Sequence, residues 1–425
     1  MYRHGMTSYI GAAWRLKRAT MSISTLGLVS EFTADLPGRS FAGSFSIIIP
    51  PISREASFTL EIGSSGLPAS RDEASQRNGK TVTGSECLGP KPLKIGDIAI
   101  ANRVILAPMS GITDAPFRRL AATLGAGLVV SEMTASDDLV NGRPMSRLRC
   151  EASGIGPHVV QLAGCETGWM AEGARIAEAT GAEIIDINMG CPARHVTGGQ
   201  SGSALMRDLD HALRLIEATI AAVKVPVTLK MRLGWDERSL NAAELARRAE
   251  AAGVQMISVH GRTRCQFYKG NADWGAVRAV KDAIGIPLVV NGDITSFEKA
   301  VSALEESGAD AVMVGRGAQG QPWLPGQIGR RLETGVVEAS PSLAEQLNYI
   351  RSLYDEVCSH YGLRVGLRHA RKHLGWALEV AARCSRAQAA TLKNWRERIL
   401  TSEDPSGVNR SLQDAFDDFA WSAAA

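Results

Sequence analysis

No stretch of this 425-residue chain reaches the ~18 to 20 uninterrupted apolar residues that a membrane helix requires. The longest candidate, 47–52, is broken by Pro50 and Pro51, so a soluble protein is expected. The seven cysteines (Cys87, Cys150, Cys165, Cys191, Cys265, Cys358 and Cys384) include no C-x-x-C pair. That removes the ligand spacing of a zinc ribbon or a ferredoxin-type cluster, and no metal site is expected. Their odd number argues for a reducing compartment, hence the cytoplasm. Acidic residues are missing before Glu31, whereas Arg3, Arg15, Lys17 and Arg18 stand in that segment. This superficially resembles a targeting leader, but the stretch after Arg18 is short and interrupted by Ser22, Ser24 and Thr25, which makes a poor signal core. What is present is ordinary globular composition: 45% hydrophobic, 21% charged and a net charge of +3. Disorder throughout is excluded.

Residues 1–90 differ from the rest. They are rich in Ser, Thr, Gly and Pro, with turn signals such as Leu36-Pro37-Gly38 and no sustained period of 3.6 or 2. They read as a largely unstructured extension, or as one added by a start codon placed too far upstream. From residue 91 to about 334 the text changes. Eight short β-branched runs, at 103–107, 127–133, 158–163, 184–189, 227–232, 256–260, 288–291 and 311–315, alternate with helix-period stretches at 115–124, 167–179, 211–223, 242–252 and 297–306. Alternation of this kind implies parallel pairing with right-handed crossovers. Eight units in this length fit a closed α/β barrel, the (β/α)8 or TIM barrel, better than an open sheet. The loop 190–208 after the fourth run is unusually long and glycine-rich, a mark of function or mobility.

Beyond residue 335 the strand signal stops, and 335–425 reads as a small C-terminal helical domain. Leu343, Leu347, Ile350, Tyr354 and Val357 share one helical face, and a second helical stretch runs through 364–384. Between 361 and 400 nine basic residues stand against two acidic ones, a local charge of +7 that leaves about −4 for the remainder, with Tyr361, Trp376 and Trp395 interleaved. A basic cluster with aromatics is the footprint of a nucleic-acid binder. A solvated helix face is the plainer alternative.

Catalytic groups in such a barrel lie at the C-terminal strand ends. Here those ends carry Pro108-Met109-Ser110, Gln161, Asn188 before Cys191, Lys230 and Arg232, His260, Asn291-Gly292-Asp293 and Gly315-Arg316-Gly317. A lone Gln or His is more often a satisfied structural group. Seven of eight strand ends agreeing is harder to set aside. Gly292, Gly315 and Gly317 let backbone N–H groups approach a phosphate where barrels commonly hold one. The run 315–320 also matches G-x-G-x-x-G, but no strand follows to supply the acidic residue of a dinucleotide fold, so that reading fails. Lys230, inside a strand, needs an anion near the barrel axis or it neutralises. The pyrimidine edge of a reduced flavin is one such anion, and a salt bridge to a barrel acid such as Asp186 is the alternative.

These residues carry a family resemblance. Ala107-Pro108-Met109-Ser110-Gly111-Ile112-Thr113-Asp114, Val160-Gln161-Leu162-Ala163-Gly164, Ile187-Asn188-Met189-Gly190-Cys191-Pro192, Lys230-Met231-Arg232-Leu233-Gly234-Trp235, Val259-His260-Gly261-Arg262-Thr263, Val290-Asn291-Gly292-Asp293 and Val314-Gly315-Arg316 resemble the tRNA-dihydrouridine synthases. The likeness runs in order over about 90–400, with Asn-Met-Gly-Cys-Pro its most specific element. Arg371-Lys372-His373-Leu374-Gly375-Trp376 resembles that family's helical tRNA-binding domain. The resemblance implies an FMN enzyme that uses NADPH to reduce the C5=C6 bond of a specific uridine in tRNA. It implies that Pro108, Met109, Ser110, Gln161, Lys230, His260, Asn291, Gly292, Asp293, Gly315 and Arg316 bind FMN, and that Cys191 donates the proton. A thiol, of ordinary pKa ~8.5, stays protonated at neutral pH yet can release its proton, and on a flexible loop it could close only over a bound base. Arg368, Arg371 and Lys372 are the tRNA-binding residues expected, and a monomer is expected. Two rivals are a flavin barrel acting on a free pyrimidine, which needs no basic helical annex, and a non-catalytic RNA-binding barrel, which needs no intact Cys191.

Overall fold

The computed structural model describes residues 93–152 and 154–424, together with the strands β1 (Glu31–Leu36) and β2 (Arg39–Ser44). These two strands pair antiparallel across the Leu36-Pro37-Gly38 signal, with Phe32 opposite Gly43 and Ala34 opposite Phe41. The extension was expected to lack regular structure. Its one short period-2 alternation, Phe32, Ala34 and Leu36 between Glu31, Thr33 and Asp35, escapes a search for sustained patterns. The rest of 1–90 lies outside the described residues, apart from the hairpin. The chain divides into two units, Met1–Thr81 and Val82–Ala425.

The second unit opens with a small hairpin, β3 (Leu93–Ile95) and β4 (Ile98–Ile100), then the strands β5 (Val104–Leu106), β6 (Leu128–Val129), β7 (Thr134–Ala135), β8 (Val159–Ala163), β9 (Ile184–Met189), β10 (Val227–Arg232), β11 (Met256–His260), β12 (Leu288–Asn291) and β13 (Ala311–Val314). The strands from β5 onward form one parallel sheet in the order β6-β5-β13-β12-β11-β10-β9-β8-β7. The two ends of that order are halves of one strand. Val130 bridges to Val159, and the Ser131 N–H donates to the Val159 carbonyl at 3.1 Å, so the segment from β6 to β7 closes the sheet between β5 and β8. The eight runs read from the sequence are thus the eight staves of a closed barrel. The second is split at Ser131, where the hydroxyl in place of the carbonyl accepts the Gln161 N–H (2.9 Å).

Around the barrel lie α1 (Ala115–Thr123), α2 (Ser136–Val140), α3 (Pro144–Cys150), α4 (Thr167–Ala179), α5 (Arg194–Gly198), α6 (Leu209–Ala222), α7 (Ala242–Ala252), α8 (Arg278–Lys281), α9 (Phe297–Ser307) and α10 (Leu324–Thr334). The local signals are legible. Asp114 accepts the Phe117 N–H and caps α1 with Pro116 in its first turn, and Ser296 and Gly308 bracket α9. Four further helices complete the unit: α11 (Leu343–Tyr361), opened by the Ser342/Glu345 capping box, α12 (Leu363–Ser385), α13 (Ala389–Thr401) and α14 (Pro405–Ala424). No helix among the described residues is long and apolar enough to cross a membrane.

Alternation along the staves sorts the core into two parts. Ile185, Ile187, Leu229, Met231, Val290 and Val312 face outward and pack beneath the helices. Ile105, Leu128, Val159, Ile184, Met256, Val289 and Ala311 fill the bottom of the barrel, where Leu93, Ile95 and Ile100 of the β3–β4 hairpin plug it. Higher on the inward face, toward the C-terminal ends, the interior changes character: Gln161, Asp186, Asn188, Thr228, Lys230 and Asn291 are all buried there. An apolar floor beneath a buried polar layer is the arrangement that positions a site.

Candidate active site

The polar layer is wired in one direction. The Thr228 hydroxyl and the Gln161 amide nitrogen donate to the two oxygens of Asp186, each at 2.6 Å. The Gln161 carbonyl accepts from Asn188 Nδ2 at 2.8 Å, and Asn188 Oδ1 accepts the N–H groups of Gly190 (3.1 Å) and Cys191 (2.9 Å). A chain of hydrogen bonds therefore runs from a fully enclosed carboxyl to the main chain of Cys191. Burial pushes the Asp186 carboxyl up, against the two donors and Lys230. Sequence reasoning named Asp186 only as a partner for Lys230 and missed its role as anchor. The i, i+2 spacing of Asp186 and Asn188 on one strand face was the available signal.

Cys191 is half-buried at the rim, and its carbonyl accepts the N–H (3.1 Å) and hydroxyl (2.8 Å) of Ser203. The loop 190–208, read as unusually long and glycine-rich, contains α5 and a 3₁₀ turn at Gly202–Arg207. Arg232 fixes it from the other side: its Nε donates to the Gly190 carbonyl at 2.7 Å, and Nη1 to the carbonyls of Thr263 and Phe267, both at 2.9 Å. Held so tightly, the Cys191 backbone has little freedom to swing. The thiol is placed by the scaffold.

Lys230 is buried, and its ammonium donates to Asn291 Oδ1 at 3.2 Å, a neutral acceptor fixed in turn by the Met313 carbonyl at 2.7 Å. Asp186 is committed to Thr228 and Gln161, and no ion pair within 4.0 Å joins it to Lys230 among the described residues. Burial, and then the neighbouring Arg232, push the lysine down to about 8, against Asp186 and Cys191. His260 stands beside it. Arg262 Nη1 lies 3.2 Å from His260 Nε2; since a guanidinium only donates, Nε2 accepts and the ring proton is assigned to Nδ1. Burial, Arg232 and Lys230 hold the imidazole well below its ordinary range, so it is neutral at physiological pH.

The strand-seven and strand-eight loops meet over Asp293. Its carboxylate accepts from buried Arg262 (2.5 Å), from the Ala272 N–H (2.8 Å) and from Arg316 (3.2 Å). Gly292 has φ +120°, and a Cβ there would stand 2.7 Å from the Ala272 Cβ and 2.9 Å from the His260 ring, so glycine is required twice over. A Cβ on Gly317 would stand 2.4 Å from the Ile294 carbonyl, and its smallness serves loop packing. Gly315 instead faces the turn of Ala107 and Met109 at 3.8–3.9 Å. That turn is closed by the Thr113 hydroxyl, which accepts the Met109 N–H at 2.8 Å, and Ser110 at its tip is exposed. Tyr268, missed by the sequence reading, sits exposed over the mouth with the Arg316 and Arg232 guanidinium groups 5.2 Å and 5.6 Å from its ring.

The strand-end residues singled out from the sequence are thus brought to one mouth, with Gln161 turned inward as a strut. The three helical residues are not alike. Arg368 is exposed, Arg371 is half-buried and donates to the Ser402 carbonyl at 3.3 Å, and half-buried Lys372 faces the barrel.

A closed parallel barrel with an unpaired buried ammonium and a scaffold-held thiol at its C-terminal mouth is an enzyme of the barrel class. Comparison with known proteins narrows the class. The family model for dihydrouridine synthase matches residues 105–420. A probable tRNA-dihydrouridine synthase of Rhizobium leguminosarum bv. phaseoli is 55% identical over 320 residues, covering 75% of this chain and 97% of that one. One of Rhodobacter capsulatus is 54% identical, covering 76% and 98%, and the tRNA-dihydrouridine synthase B of Xanthomonas axonopodis pv. citri is 48% identical, covering 67% and 86%. The chain belongs to the dihydrouridine synthase family of flavin-dependent oxidoreductases.

Proposed function

We propose that this protein, acting as a cytoplasmic monomer, uses FMN and NADPH to reduce the C5=C6 bond of a specific uridine in tRNA. The observation that carries the reading is Lys230, a buried ammonium whose hydrogen-bonded partner is a neutral amide. A desolvated cation with no acidic partner within 4.0 Å among the described residues calls for an anion from outside the protein. FMN fits on that ground, and when bound it supplies the hydride delivered to uracil C6. Pro108, Met109 and Ser110 would line the ring, Lys230 and His260 would face its polar edge, and Asn291, Gly292, Asp293, Gly315 and Arg316 would surround the phosphate, with Gln161 bracing the layer beneath.

Addition at C6 places negative charge on the C4 carbonyl, which is discharged by protonation at C5. Cys191 is the proton donor in this reading, held at the rim by Asn188, Ser203 and Arg232. Neutral His260, its Nε2 occupied by Arg262, offers only an Nδ1–H as donor. The uridine must leave its stack to reach the mouth, at a cost of roughly a few kcal/mol that phosphate contacts on the helices offset. A free-pyrimidine dehydrogenase would share the chemistry but has no use for those contacts.

The purified protein is expected to be yellow. After reduction by NADPH, its flavin should be reoxidised by tRNA lacking dihydrouridine and not by free uridine, uracil or orotate. Rapid reoxidation by the free base would overturn the tRNA reading, and a colourless protein that takes up no FMN would overturn the flavin reading. Mass spectrometry of tRNA from a deletion strain identifies the uridine. RNA affinity is expected to fall steeply with salt. Removing charge at exposed Arg364, Arg368 and Arg383 together should flatten the slope by about two to three units while the flavin spectrum is unchanged. A slope equal to the parent's would place the RNA elsewhere.

A further inference from the structure

His369, Lys372, His373 and Trp376 recur at i, i+3, i+4 and i+7 along α12 and so form one stripe of that helix. The stripe is turned toward the barrel. His373 stacks on Phe117 of α1 with ring centroids 5.2 Å apart. A Cβ on Gly320 would stand 2.4 Å from the Trp376 carbonyl, and one on Gly111 would stand 3.3 Å from the Lys372 ammonium. Gly111 belongs to the turn after β5 and holds φ +71°, a left-handed conformation.

The base of that turn carries two buried carboxylates. Glu132 accepts the Gly111 N–H, and Asp114 caps α1. Burial pushes the Asp114 carboxyl up to about 6; the Phe117 N–H it accepts opposes this, Glu132 adds to it, and Lys372 and then Arg118 oppose it. Two like charges in one desolvated place require cations, or one of them takes up a proton. Three are at hand. Arg118 lies on α1 and is tied to the Thr113 carbonyl at 2.8 Å, Arg149 lies on α3 with its Nε 3.9 Å from Glu132, and Lys372 comes from the C-terminal helices. Of the three, only Lys372 reaches the turn from outside the barrel. Its ammonium is attracted first by Asp114 and next by Glu132.

We infer that Lys372 is a positioning residue: from the helical part of the chain it neutralises Asp114 and Glu132 and thereby sets the 108–113 turn against which the flavin lies. This rests on the flavin reading above for the identity of what the turn holds. It separates Lys372 from Arg368 in function, since the Lys372 ammonium faces the Gly111 turn and the two carboxylates at its base, whereas Arg368 is exposed.

The test uses the full chain and four variants, K372M, K372R, E132Q and K372M/E132Q, with FMN affinity read by quenching of flavin fluorescence and tRNA affinity read across a salt series. K372M is expected to weaken FMN on the order of tenfold, the size of an ordinary coupling between sites, and to leave the salt slope for tRNA unchanged. K372R should recover most of the affinity. E132Q added to K372M should recover part of it, because the unpaired carboxylate is then gone, an outcome that a merely structural lysine would not give. FMN bound by K372M as tightly as by the parent overturns the inference, as does a salt slope reduced by about one with FMN affinity unchanged, which would make Lys372 a phosphate contact. Should K372M alone fail to fold, K372R and the double variant decide: folding and FMN affinity regained in K372M/E132Q and retained in K372R support the inference, and a double variant that fails as K372M does overturns it. Failure of the parent itself to bind FMN would strike the flavin reading instead.

Discussion

Replacing Cys191 with alanine is expected to slow reoxidation of the flavin by tRNA by ~10²- to 10⁴-fold, the usual worth of a general acid, while FMN binding and reduction by NADPH proceed as before. The loop geometry makes this substitution clean. The position of residue 191 is set by its N–H to Asn188, its carbonyl to Ser203 and the Gly190 carbonyl to Arg232, none of which uses the sulfur. Alanine therefore removes the proton and leaves the loop in place. Stopped-flow absorbance separates the two half-reactions. Parental reoxidation by tRNA in the variant would assign the proton to another group. A defect confined to the NADPH step would make the thiol part of the cofactor site. Asn188→Ala is the informative companion, since it keeps the thiol but frees the N–H groups of Gly190 and Cys191.

The barrel was readable because strands buried on both faces must be written as short runs of β-branched residues, and seven of the eight observed staves lie within a residue of those runs. The second stave was legible in place but not in form. Its split depends on the Ser131 hydroxyl taking the Gln161 N–H in place of the Ser131 carbonyl, a choice set by a partner thirty residues away. The ring of strand-end residues could be listed because the fold class dictates where strands end. Which of them touch each other could not. Gln161, read as a cofactor ligand, also braces Asp186 and Asn188, and Asp186 reads as a counter-ion for Lys230 and serves Gln161 and Thr228. The basic segment shows the same limit. Composition counts charges but does not say which side of a helix they occupy, and the 369, 372, 373, 376 spacing that turns Lys372 inward is visible only once a stripe is sought.

Lys230→Met is expected to act in opposite directions on the flavin-free protein and on its complex. In the flavin-free protein the ammonium is buried with only a neutral acceptor, and its pKa is pushed from 10.5 down to about 8. A base whose folded pKa lies below its unfolded one costs stability. The cost is fully present below the folded value, near pH 8, and fades as pH rises toward the unfolded value. At pH 7 the methionine variant, which buries no charge, should therefore be more stable than the parent by roughly 1–3 kcal/mol, measured by denaturant unfolding without flavin. The gain should shrink as pH climbs through 8 to 10. With FMN present the sign reverses, because the ammonium then has an anion to face when the ring is reduced. The variant should bind reduced FMN at least about tenfold more weakly relative to oxidised FMN, which for a two-electron couple lowers the midpoint potential by ~30 mV or more. Greater stability without flavin and a lower potential with it cannot both come from a packing change, so the pair of measurements isolates the charge. A variant less stable than the parent at pH 7, with an unchanged potential, would show that Lys230 is satisfied within the protein and that the anion expected at the barrel mouth has no place there.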